Sequence, residues 1–148
     1  MIKSIQGTIS QTWNPYVTSS ANPEMMGSEF GVLSLGENET FAIEAQQEYV
    51  FCLNCGAVEF CWDGQSAAVS RKSCFYDDPY VLHVCTGTRV SIRGCGAHAE
   101  VNVAGTANDR RFACRLYGPE DLLCRETADA KKLDGKVKRI KRVFFDRS

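Results

Sequence analysis

Histidine is scarce in this chain. Only His83 and His98 occur among 148 residues, and no His-x-His pair exists. A strand-borne metal centre of imidazoles and a carboxylate needs several histidines converging from neighbouring strands. The sequence therefore offers no metal site and implies no cofactor. The alternative is a weak site drawing on His83, His98 and either Glu100 or Glu48. Long apolar runs are also missing, so nothing reaches the roughly 20 residues of a membrane helix. The start, Met1 to Gln6, lacks the basic opening and apolar core of a secretory leader. The expectation is a cytoplasmic protein with no membrane partner. No Gly-x-Ser-x-Gly elbow and no glycine-rich phosphate loop leading into a helix occurs, so no catalytic residue is assigned. No useful helical period precedes Pro119.

What is present fits one folded domain. Hydrophobic residues make up 44% and charged residues 24%, the balance of a chain that buries a core rather than staying disordered. Eight cysteines occur, six of them among apolar residues on strand-like runs. In a reducing compartment they serve as small buried hydrophobes rather than disulfide partners. Cys52-x-x-Cys55 lies on such a run, where positions i and i+3 face opposite sides, so it reads as core packing and not as a redox or zinc motif. The net charge of −1 conceals an asymmetry. Residues 131–148 carry eight Lys or Arg and two Asp, hence +6, which leaves −7 for the rest. No aromatics interleave with those basic residues, so nucleic acid is not the expected partner.

Residues 1–28 are polar, with Pro15 and Pro23, and read as a loop-rich arm; 29–148 form the β domain. Short strand-like runs begin at Phe30. Thr40 to Glu44 alternates, Tyr49 to Asn54 is nearly continuous, and Ala57 to Trp62 is closed by Asp63-Gly64. An Asp-Gly pair between β runs predicts a two-residue hairpin, because both positions must accept positive φ. Arg89 to Arg93 alternates with Val90 and Ile92 on one face, and Ala97 to Ala104 supplies a further strand. Glu120 to Cys124 suits one helical turn or a short strand, and Val137 to Phe145 a final basic strand. Eight or nine strands with turns every 8–12 residues predict an all-β antiparallel sandwich, jelly roll or small barrel.

The segments Glu48-Tyr49-Val50-Phe51-Cys52-Leu53-Asn54-Cys55-Gly56, Val58 to Gly64 and Arg71 to Val90 together resemble the N-terminal half of 5-deoxy-glucuronate isomerase and, more distantly, 5-keto-4-deoxyuronate isomerase. The shared order is a glutamate entering a strand, a glycine, a dipeptide hairpin, a Ser-x-Phe step, an aromatic strand and a Gly-Thr turn. Cys85-Thr86-Gly87-Thr88 stands where the family often has proline before the glycine. The resemblance spans about residues 28–145. It implies a cupin-like jelly roll, or double-stranded β-helix, related to aldose–ketose isomerases of inositol catabolism. Such proteins stack two cupin domains, the second bearing the metal, and this chain ends about where that half would begin. It is expected to be non-catalytic by itself; the alternative is a standalone binding or assembly module. Glu48, Tyr76, Tyr80 and His83 are the candidate lining of a barrel mouth that could take a small sugar acid. The arm and the tail, with exposed β edges, predict a homodimer or larger homo-oligomer.

Overall fold

In the computed structural model, residues 12–18, 27–127 and 139–143 are described; for 124–127 and 139–143 the description is of backbone only. Most of the basic tail and of the N-terminal arm, for which sequence suggested an intermolecular role, lies outside these residues; within the tail, Arg139–Val143 forms a strand. Among the described residues no helix is long and apolar enough to cross a membrane.

The strands are β1 (Trp13–Val17), β2 (Ser28–Leu35), β3 (Thr40–Glu44), β4 (Glu48–Trp62), β5 (Gln65–Arg71), β6 (Val81–Val84), β7 (Arg89–Gly94), β8 (Ala99–Thr106), β9 (Arg115–Tyr117), β10 (Leu123–Thr127) and β11 (Arg139–Val143). All pairings are antiparallel. One layer runs β1-β2-β8-β4-β6-β9, and the other places β7 between β3 and β4, with β5 on β4's far side. β10 and β11 form a separate two-stranded ribbon. A single 3-10 turn, Pro119–Asp121, precedes β10.

β4 is the hinge of the fold. Its first half pairs with β8 and β6, and its second half with β7 and β5. Phe51 and Leu53 point inward from the first half, Val58, Phe60 and Trp62 from the second. That change of phase requires one extra residue. It is Asn54: Leu53 pairs with Val101 and Cys55 with Glu100, leaving Asn54 unmatched in a β-bulge. Gly56, at φ +93°, follows immediately. A Cβ there would lie 2.3 Å from the His98 carbonyl oxygen, so only glycine admits the approach of β4 to the start of β8.

The inner faces of both layers meet in one apolar cluster that includes Leu33, Phe51, Leu53, Phe60, Ile92 and Val101, each fully buried. Each such side chain contributes about 1.5–3 kcal/mol of burial. The Asp63-Gly64 hairpin forms as expected, with φ 45° and 75°. Residues 13–17 depart from the loop-rich reading of the arm. They pair with β2, and the Trp13 ring lies 6.0 Å from Phe41, packed on the core. The strand formers Trp13, Tyr16 and Val17 overrode the local turn signal from Pro15, which sits beside a register irregularity where a missing N–H is tolerated.

The cysteines also differ from expectation. All seven that are described are free thiols; Cys85 is buried, but Cys74 and Cys95 are exposed and Cys52 and Cys55 only half-buried. The bulge places Cys52 opposite Asn102 and Cys55 opposite Glu100, on the outer face together. Their reading as core residues on opposite faces fails because the strand contains one residue more than a regular ladder.

Candidate functional site

Glu48 opens β4, and His83 stands on neighbouring β6, across from Val50. Both face outward from the layer. His83 Nε2 lies 2.6 Å from Glu48 Oε1, and the Asn108 amide donates to the other oxygen, Oε2. The Phe112 ring covers the imidazole at 4.4 Å between centroids. Asn108 and Phe112 both come from the segment between β8 and β9, which folds back over the pair. The Asn108 hydrogen bond holds the Glu48 carboxyl below its ordinary range; burial opposes this, and the hydrogen bond and charge of His83 reinforce it. An ionised carboxylate only accepts, so Nε2 carries the proton in this contact. With both oxygens engaged, Glu48 is a positioned anion rather than an available base.

The structure divides the four residues proposed for the barrel mouth. Glu48 and His83 meet. The Tyr80 carbonyl instead accepts from Leu53 N–H, five residues further along β4, roughly 16 Å from Glu48 at strand spacing. Tyr80 packs half-buried against the core, and Tyr76 is 86% exposed on the turn that precedes it, after β5. That turn is organised by Arg71, whose buried guanidinium donates to the carbonyls of Leu53, Cys74 and Asp77. Asn108 and Phe112 were not read from sequence, since nothing local marks a loop that returns across its own sheet.

A polar depression of about 450 Å³ adjoins the pair through Asn108, lined also by Gln46, Gln47, Thr86, Ala107 and Asp109. Amide and hydroxyl groups of this kind suit a hydroxylated ligand. A larger, shallow depression of about 890 Å³ lies over the second layer. Ala42, Ser91, Cys61 and Ser66 form one lateral row across its four strands there, with Glu44 and Arg89 alongside. A third feature is a cluster at the bulge: donor atoms of Cys55, His98 and Glu100 lie within 4.8 Å of one another. Burial, and then the Glu100 carboxylate, push the Cys55 thiol up.

Comparison with known proteins gives a consistent result. A family model described as the KduI/IolB family matches residues 5–141. No curated protein matches the sequence. An IolB-like protein from Salmonella typhimurium superposes with a TM-score of 0.76 at 13% identity, covering 93% of this chain and 51% of that one. An RmlC-like cupin family protein with a double-stranded β-helix fold, from Methanocaldococcus jannaschii, gives 0.55 at 9% identity, covering 74% and 94%. At such identities the likeness establishes the fold. The chain spans about half the length of the IolB-like protein.

Proposed function

The chain belongs to the KduI/IolB family, and from that premise we propose that it is a cupin domain related to sugar-acid isomerases that does not itself isomerise. The observation that carries this reading is the filling of the barrel. Leu33, Phe51, Leu53, Phe60, Ile92 and Val101 occupy the space between the layers, with no exposure to solvent. Among the described residues the inner faces supply no cluster of metal-ligating side chains. The polar groups that could recognise a uronate surround Glu48 and His83 outside that core, and Glu48 is committed to Asn108 and His83. A small sugar acid would use the amide-lined depression beside them, its hydroxyls taking the places of water on Gln46 and Thr86. The test is product analysis of the purified chain with 5-deoxy-glucuronate and added divalent metals. No ketose is expected; robust metal-dependent turnover overturns the reading.

The row of small side chains on the second layer, half-buried at Cys61 and Ser91 and exposed at Ala42 and Ser66, favours a second reading, that of an assembly module. A flat patch of Ala42, Ser91, Cys61 and Ser66 lets another surface approach closely, and Glu44 with Arg89 offers both charges at its edge. Light scattering near 50 μM should then give a multiple of 16.4 kDa. A monomer mass at low and moderate salt counts against it.

A further inference from the structure

We propose that Cys55, His98 and Glu100 form a zinc site on the outer face of the barrel, distinct from the family's isomerase chemistry. The site is assembled by the irregularity in β4. In a regular ladder Cys55 would follow Phe51 and Leu53 into the core. The unmatched Asn54 turns it outward instead, directly opposite Glu100 on β8. Gly56 then lets the chain lie against the His98–Ala99 backbone, closer than any side chain would permit. His98 stands two residues before Glu100, and its Nε2 is 3.3 Å from Glu100 Oε1. Three donors of three types thus converge from β4, from β8 and from the residue just before it.

The donor set is one that zinc selects. Thiolate, imidazole and carboxylate are its usual ligands, with bonds of about 2.3 Å to sulfur and about 2.0–2.2 Å to nitrogen and oxygen. A tetrahedral ion with those bonds holds its donors roughly 3.3–3.8 Å apart. The three atoms already lie within 4.8 Å of one another, so side-chain rotation suffices. A hard ion such as magnesium would not recruit a thiol. His98 is 54% and Glu100 33% exposed, which gives the ion a route in and leaves the fourth position to water or an anionic oxygen. The site ties the bulge of β4 to the start of β8.

Cobalt(II) titration of tag-free, metal-free protein tests this without any substrate, so its outcome is independent of the isomerase question. One equivalent should bind with a thiolate-to-cobalt charge-transfer band in the near ultraviolet. Cys55→Ser should abolish the band. His98→Gln and Glu100→Gln should each weaken binding at least tenfold, whereas His83→Gln should leave it unchanged. Zinc should also protect Cys55 of the unaltered protein from alkylation, read by peptide mass spectrometry. No band, a band surviving Cys55→Ser, loss in His83→Gln, or equal Cys55 labelling with and without zinc would overturn the proposal.

Discussion

Gly56→Ala should be among the most damaging single-methyl additions in this protein. At φ +93° an alanine is held outside its allowed backbone regions, at a cost of about 1–3 kcal/mol. Its Cβ would also stand 2.3 Å from the His98 carbonyl oxygen and 2.5 Å from Ala99 Cα. These are backbone atoms at the head of β8, and moving them disturbs the β4–β8 ladder. Overpacking of this kind adds about 1–3 kcal/mol. The sum, about 2–6 kcal/mol, is a large part of the roughly 5–15 kcal/mol that holds a domain folded. Gly64→Ala is the internal control. Its φ of 75° is similarly unfavourable for alanine, but nothing lies within 4 Å of the new Cβ, so only the conformational cost of about 1–3 kcal/mol applies. Urea unfolding followed by circular dichroism should show a midpoint loss about twice as great for Gly56→Ala. Equal losses would refute the argument that backbone contact at the bulge, rather than dihedral preference alone, fixes glycine there.

Other consequences follow from named contacts. Arg71→Met removes the donor shared by the Leu53, Cys74 and Asp77 carbonyls and should cost about 2–4 kcal/mol by the same unfolding assay. Asn108→Ala removes the largest influence that lowers the Glu48 carboxyl. A depressed acid contributes stability that is fully present above its unfolded pKa and disappears as pH falls through the folded one. The unaltered protein should therefore exceed the variant by about 1–2 kcal/mol at pH 7, with the gap closing under acid; a gap independent of pH would contradict this. In native alkylation, exposed Cys74 and Cys95 should label first; half-buried Cys52, whose thiol is raised by burial, and buried Cys85, where lack of access outweighs the Phe112 hydrogen bond that lowers its thiol, should label last. Fast labelling of Cys85 would contradict the packing.

Features coded by neighbouring residues were legible in the sequence. The Asp63-Gly64 hairpin and the alternation through Val90 and Ile92 appear where the side chains placed them. The family resemblance and the jelly-roll class rest on the same local turns. Features set by distant pairing were not legible. Asn54 is a poor strand former, but nothing local says that it will go unmatched, and its failure to pair reverses the faces of everything after it in β4. Tyr49 to Asn54 and Ala57 to Trp62 read as two strands because Gly56 looks like an ending; the fold uses it as a bend within one. Glu48 and His83 could be named individually. Asn108 and Phe112, which engage them, arrive through a return loop with no periodic signature.

The central claim, a family member without isomerase chemistry of its own, is tested most directly by the partial reaction. Isomerisation through an enediol removes the proton beside the carbonyl, so a competent site exchanges it with solvent even when little product accumulates. The chain should be incubated in D₂O with 5-deoxy-glucuronate and zinc, manganese or cobalt, and the sugar acid examined by NMR. The account predicts neither ketose nor deuterium at that carbon above a metal-only control; protein-dependent incorporation, or ketose, would contradict it.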